Sequence, residues 1–474
     1  MISSAARQPC LNAPNACWTS VSAIQAEGRP ADGELLPALE AGGQAASAAT
    51  LQPFESQNTP RGYRHATGLI QMAVEFLLFC NMSLRAASRA FVVMDLQRSP
   101  TFWTIRHWLL RLGLYELQRA KPLATDWIFI VDATIAVGEH KALVILGVRL
   151  AQLQERGFNL RHQDVVTLGL KILPRCDGVA VHAQLQEAAR QVGVPRAVVS
   201  DGGADVAKGV RLLRQDHPEV DWIYDLTHRL ARLLEKQLKD QLGWDRFVTQ
   251  AGKVRNGCRQ TQWSFLLPPA PRTKARWFNL EPSVNWGLRV LAYGRQEGLR
   301  DKKFAALFGW LEEFEPLLEE ARQMTAMIKA VCEIIKAKGI NAPHVQLCRQ
   351  RMEQIAQTPK ARTLGAQIMQ FLDAQAALAR PGETLLGSSD VIESVFGKYK
   401  SVVERSPLKV ITEMVLTVAA LTSARTSQTV KAAMETVSLE AVKKWFGANG
   451  HPTQLTRRKE VLRRDRPRIG THNA

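Results

Sequence analysis

The sequence predicts an α/β protein: a mixed sheet interrupted by a long, mostly α-helical insertion and preceded by a helix-turn-helix domain. Three observations point there. Five β-rich runs, joined first by one short and one longer connection and then by helical patterns, lie between residues 127 and 225. Residues 226 to 385 carry helical patterns and no convincing strand. Short amphipathic segments with helix-entry residues precede the first run.

Residues 1–62 are rich in Ala, Gly, Gln, Ser and Pro, with apolar residues too sparse for any period, and read as a disordered arm. Residues 63–120 form the helical domain. One helix runs from Gly68 toward Cys80, and Ser83 caps a second that ends near Val93. For the third, Ser99 is a natural N-cap, Pro100 fits the first helical position, and Gly113 fits the stop. Its stripe of Phe102, Ile105, Trp108, Leu109 and Leu112 packs inward, which leaves Thr101, Thr104, His107 and Arg111 on the opposite face. Such a trio is either a helix-turn-helix whose last helix enters a major groove or a plain packing bundle.

The strands follow at 127–137, 141–150, 164–173, 196–203 and 220–225, with helices between the later ones. The order βββαβαβ implies a mixed sheet with helices on both faces, and it matches the ribonuclease-H fold. The core then has a first part, 121–236, and a second part, 386–450, on either side of a helical insertion at 237–385. Helices are expected there at 228–244, 301–339 and 363–379, another begins at Ser406-Pro407, and residues 451–474 are a basic tail.

Composition narrows the partners. Hydrophobic residues at 46% and charged residues at 22% are ordinary globular values, but the net charge is +18 and the pI about 9.8. A polyanion is therefore expected and nucleic acid is preferred, double-stranded DNA if the helical domain enters a major groove. The longest apolar run, residues 68–82, is too short and too interrupted by Gln71 and Glu75 to span a bilayer, so no membrane partner is expected. No basic segment leads into an apolar stretch at the N-terminus, which predicts a cytoplasmic protein. Seven dispersed cysteines without a C-x-x-C pair are neither a disulfide framework nor a zinc site.

The candidate chemistry lies in three acids. Asp132 sits inside an apolar strand, where an unpaired carboxylate is costly and demands a cation. Asp201 ends the fourth strand in an Asp-Gly step that fits a turn equally well. Glu393 flanks a buried stripe of Ile392, Val395, Phe396 and Tyr399, with Lys398 and Lys400 nearby, but Asp390 and Glu393 also fit a capping box. In a ribonuclease-H sheet the first and fourth strands pair in parallel, so Asp132 and Asp201 converge, and Glu393 joins them from the helix after the insertion. Three carboxylates suit Mg²⁺ or Mn²⁺, and two such ions can activate an oxygen nucleophile and stabilise the leaving oxygen.

On these residues the sequence resembles the DDE transposases of bacterial insertion sequences, over 127–236 and about 386–405. The resemblance implies metal-dependent DNA strand cleavage and strand transfer at the ends of a mobile element, by a homo-oligomer on DNA. It implies auxiliary roles for Asp225 and His228, a D-x-x-H after the fifth strand whose plain reading is a helix cap with a surface histidine. Lys400, seven residues after the glutamate, matches a lysine that contacts DNA; Lys398, Thr104, His107 and Arg111 are further candidate DNA contacts. A subgroup with Tyr and Arg seven and four residues before the glutamate does not fit, since Leu386 and Ser389 stand there. Trp263, Trp277 and Trp286, near Arg272, Lys274 and Arg276, suit either core packing or stacking on extruded bases. Two other readings compete: a DNA-binding descendant without the reaction, and a nuclease of the same fold without strand transfer.

Overall fold

The computed structural model describes residues 58–94, 98–135, 140–239, 242–270, 280–298, 302–403, 411–450 and 454–464, all within one compact unit, Ser56–Ala474. The arm expected at 1–62 lies outside the described residues as far as residue 57. Three helices come first: α1 (Thr67–Leu78), α2 (Leu84–Val93) and α3 (Phe102–Gln118). Ser83 caps α2 as expected, accepting from the Ala86 amide.

Five strands follow: β1 (Trp127–Ile135), β2 (Lys141–Arg149), β3 (Val166–Leu173), β4 (Ala197–Ser200) and β5 (Asp221–Tyr224), in the spatial order β3-β2-β1-β4-β5. A short helix, α4 (Leu150–Arg156), lies between β2 and β3. The first three strands pair antiparallel, while β1–β4 and β4–β5 pair parallel. Parallel neighbours need a crossover, supplied by α5 (Gly178–Val192) and α6 (Ala204–Asp216). This is a ribonuclease-H-like mixed sheet. Its strands are apolar because both faces are covered. On one face, Phe129, Val131, Ile145 and Val198 pack against Val181, Leu185 and Val192 of α5 and Val206, Val210 and Leu213 of α6. Each such side chain contributes roughly 2 kcal/mol through burial. Strand alternation turns Ile128, Ile130 and Asp132 to the opposite face.

The insertion is helical. It comprises α7 (Leu226–Lys239), α8 (Leu242–Cys258), α9 (Leu280–Tyr293), α10 (Lys302–Phe308), α11 (Glu315–Lys338), α12 (Ala342–Ile355) and α13 (Pro359–Ala376). Among the described residues its one β-type pairing is an isolated bridge, Ile340 with Leu385. The single helix expected over 301–339 is instead broken by a 3₁₀ turn at Gly309–Phe314, and α11 restarts with Pro316 in its first turn. Trp244, Phe247, Trp286, Trp310 and Phe314 stack on one another as its aromatic core.

The chain then returns to the sheet with α14 (Asp390–Val403), followed by a 3₁₀ turn at Glu413–Leu416, α15 (Thr417–Thr422), α16 (Ser427–Thr436), α17 (Leu439–Asn449) and α18 (Gln454–Arg464). The expected entry at Ser406-Pro407 lies outside the described residues, and part of the basic tail is the helix α18. α14 packs on β1, while α15, α16 and α17 pack on α3.

That packing corrects two expectations for α3. Thr101, not Ser99, is its N-cap, with its hydroxyl 3.2 Å from the Thr104 amide. Gly113 is not a stop. A Cβ there would lie 2.2 Å from the Leu416 carbonyl oxygen, so glycine admits the C-terminal segment against the helix, which continues to Gln118. Leu110, Leu114 and Glu116 are buried along with Ile105, Trp108, Leu109 and Leu112, so burial in the second half of α3 extends beyond the expected stripe, while Phe102 is half-buried.

Candidate active site

The parallel pairing of β1 with β4 builds the site. Its register sets Val131 against Ser200, so the next residue on each strand, Asp132 and Asp201, stands at the same level of the sheet. β4 ends there because Asp201 opens a turn: its Oδ1 accepts from the Gly203 amide at 2.8 Å. Gly202 has a φ of +70° and lies against the Tyr224 ring, where a Cβ would come within 2.2 Å. Asp132 Oδ1 accepts from the Ala133 amide at 2.6 Å. Burial and then the Asp201 charge push the Asp132 carboxyl up to about 6, against the pull of His228 and Lys400. Neither aspartate forms an ion pair among the described residues.

α14 brings Glu393 to this edge. Ile392, Val395, Phe396 and Tyr399 are buried as its stripe predicts, and half of the Glu393 side chain stays open to solvent. Desolvation against the sheet raises the Glu393 carboxyl; the nearby His228 opposes this, and the charges of Asp225, Asp390 and Asp132 add to it. The capping-box reading does not hold, because Asp390 is already the first helical residue. Its carboxylate is held by Lys336 Nζ at 2.6 Å and by the Thr227 hydroxyl at 3.3 Å.

Asp225 is distinct from the other acids. It is 1% exposed, and four donors surround its two oxygens. Oδ1 takes the His228 amide at 2.8 Å and the His228 Nδ1 at 2.9 Å; Oδ2 takes the Ser389 amide at 2.6 Å and the Ser389 hydroxyl at 2.9 Å. Burial alone would raise its pKa, but these bonds from His228 and Ser389 hold it below the usual carboxylate value. With its lone pairs committed, Asp225 is no metal ligand. It is a helix cap, as the plain reading of D-x-x-H has it, yet the histidine is not idle: His228 Nε2 stands 3.4 Å from Glu393 Oε1. Burial opposes the imidazolium charge, but the Asp225 hydrogen bond and the charges of Asp225, Glu393 and Asp201 outweigh it and push His228 up to about 9.

The remaining sequence candidates are scattered. Lys400 acts on Asp132 electrostatically, whereas Lys398 Nζ donates to Asn81 at 3.1 Å. Thr104 bonds the Thr101 hydroxyl at 3.0 Å, and His107 is half-buried beside Trp103. Arg111 does not project outward as expected. It lies 5.3 Å over the Tyr63 ring, with its Nε buried and unpartnered, because the C-terminal helices close over this part of α3. Trp286 belongs to the aromatic core, with its Nε1 donating to the Leu266 carbonyl at 2.8 Å, and Trp263 packs on Tyr293 and Phe304. Trp277, Arg272, Lys274 and Arg276 lie outside the described residues. Sequence reasoning missed Ser389; its place one helical turn before Glu393 was the available signal.

Among the described residues no group of three or more His, Cys, Asp or Glu is drawn together tightly enough to hold a metal unaided. Asp132 and Asp201 share one level of the sheet, and the Asp132 charge is felt at Glu393; carboxylate oxygens are the donor type that a hard cation takes beside waters and phosphate oxygens. No helix among the described residues is long and apolar enough to cross a membrane. No family model and no curated protein matches the chain. Among solved structures it is similar to one described as the Drosophila P element transposase strand transfer complex, at 12% identity and a TM-score of 0.42, covering 81% of this chain and 99% of that one.

Proposed function

We propose that the chain is a DDE-type transposase, which cuts DNA at the ends of a mobile element and joins the cut strand to a target. One observation carries the reading: the β1–β4 register puts Asp132 and Asp201 at one level of the sheet, where the Asp201 charge acts on the Asp132 carboxyl. Like charges so placed raise each other's energy unless a cation is shared. Asp132, Asp201 and Glu393 would hold Mg²⁺ or Mn²⁺. When bound, such ions activate the attacking oxygen of water or a 3′ hydroxyl and stabilise the oxygen that leaves phosphorus.

The chain's own residues do the rest. His228 stands 3.4 Å from one oxygen of Glu393, so the other would be the one available to a cation. Lys400 brings positive charge to the side where a scissile phosphate would lie, and the +18 net charge supports phosphate contacts over a wider surface. A homo-oligomer on DNA accords with the family resemblance.

The test is cleavage and joining of end DNA in Mg²⁺ by the full chain and by Asp132→Ala, Asp201→Ala and Glu393→Ala. Each variant is expected to bind end DNA and to neither cut nor join it. A Glu393→Ala protein that worked at the normal rate would sink the assignment. Cut but unjoined products from the unaltered chain would favour a plain nuclease, and binding without cutting would favour a DNA-binding descendant.

A further inference from the structure

Two of the three proposed ligands are fixed by the sheet, since Asp132 and Asp201 follow from one strand pairing. Glu393 is not. It stands on a helix that the chain reaches only after the insertion, so strand register does not fix its place. A closed ring of polar contacts does. Ser389 donates its amide and hydroxyl to Asp225 Oδ2; Asp225 Oδ1 holds both the amide and Nδ1 of His228; and His228 Nε2 meets Glu393 Oε1, one helical turn from Ser389. The ring joins the first turn of α7, where the chain leaves the core, to the first turn of α14, where it returns.

We infer that Ser389 is a positioning residue for Glu393, acting through Asp225 and His228; this rests on the reading of Glu393 as a metal ligand. Ser389 is 3% exposed and supplies two of the four donors on a carboxylate that is itself buried. Without the hydroxyl, Asp225 keeps a lone pair facing a low-dielectric interior and can rotate to recover a partner. Rotation releases Nδ1 of His228, and with it the ring orientation that aims Nε2 at Glu393. Partners behind a metal-ligating side chain set its orientation in this way, and losing one costs about 10–100-fold in metal affinity. Backbone pairing does not replace the ring: the Leu226 amide on the Gly387 carbonyl ties the two segments together but does not orient the histidine.

The experiment loads the full chain with Fe²⁺ in place of Mg²⁺ and adds ascorbate and peroxide, so that the backbone is cut beside the ion; the fragments are then mapped. The unaltered chain should be cut near Asp132, Asp201 and Glu393. Ser389→Ala should keep the first two cuts, lose the third, and bind Mn²⁺ about tenfold more weakly by paramagnetic resonance. Ser389→Thr, which retains the hydroxyl, should restore both. If Ser389→Ala does not fold, His228→Ala carries the same comparison. Fragments from either alanine variant identical to those of the unaltered chain would overturn the inference while leaving the metal site standing. Absence of cuts near Asp132 and Asp201 in the unaltered chain would overturn the metal site itself.

Discussion

Helices α3 and α14 pose the same problem to a reader of the sequence and answer it differently. Each has an apolar stripe at helical spacing and a polar flank that invites a functional reading. In α14 the stripe is buried and Glu393 stays half-open beside it. In α3 the stripe from Ile105 onward is buried too, but Leu110 and Leu114 on its other side are equally enclosed, and Arg111 is folded onto Tyr63. The difference comes from chain far away in sequence. α15, α16 and α17 pack on α3, while half of the Glu393 side chain stays open to solvent. A polar flank therefore stays available to a ligand only where no later segment covers it.

The largest effects should separate the two helices by kind. Glu393→Gln on α14 keeps shape and removes charge; it should lower strand cleavage by about 10³-fold, several kcal/mol of transition-state stabilisation, with melting temperature little changed. Gly113→Val on α3 should do the reverse. It forces branched carbons against the Leu416 carbonyl, where even a Cβ would approach to 2.2 Å, and should destabilise the fold by about 3 kcal/mol or more. Gly397→Ala on α14 is the control: nothing lies within 4 Å of a Cβ there, so thermal unfolding should show a gain of up to about 1 kcal/mol. A destabilised Gly397→Ala protein would mean that this flank of α14 is covered after all.

These contrasts explain what the sequence could reveal. The five strands, their order and the helical insertion were legible because alternation and crossover length are local properties. So was the meeting of Asp132 with Asp201, which needs only that β1 and β4 pair in parallel. The cap of α3 was misread by two residues because Ser99 and Thr101 both satisfy the capping preference, and Gly113 was misread because a stop and a close approach both select glycine. The fate of Arg111 was not legible, since the ring it rests on, Tyr63, lies in the segment before the first helix. The role of Ser389 was hidden for the same reason: its partner, Asp225, lies on the far side of the insertion.

A smaller effect compares buried acids under the two helices. Glu116 of α3 is ion-paired, its Oε2 accepting from Arg119 Nε at 2.7 Å and its Oε1 lying 2.7 Å from the same guanidinium. Asp132, beneath α14, has no ion pair among the described residues, and its folded-state pKa of about 6 lies above the ordinary carboxyl value of 3.8. Between these values the folded chain binds more protons than the unfolded one, so this group's contribution to stability falls as pH rises from about 4 to 6. Asp132→Asn keeps the bond from the Ala133 amide and removes the charge. In metal-free buffer at pH 7 it should be more stable than the unaltered chain by about 2 kcal/mol, discounted from the roughly 3 of full conversion because the carboxylate is partly open. The gain should vanish near pH 4, and Glu116→Gln should show a loss instead. Equal melting temperatures at pH 7 would mean that Asp132 is already compensated.

The smallest expected effect decides what α3 is for. If Arg111 reached into a DNA groove, Arg111→Ala would weaken end binding and reduce the slope of affinity against salt by about one phosphate contact. With its guanidinium 5.3 Å above Tyr63 and its Nε enclosed, the change should instead remove a cation–π contact of about 0.5–1 kcal/mol, seen in thermal unfolding. End affinity and its salt slope should stay as they are. Trp103, 55% exposed at the open start of the same helix, is the counterpart. Groove-reading helices use their N-terminal residues, so if α3 touches DNA at all, Trp103→Ala should weaken binding where Arg111→Ala does not. A reduced salt slope for Arg111→Ala alone would return the buried end of α3 to the DNA surface.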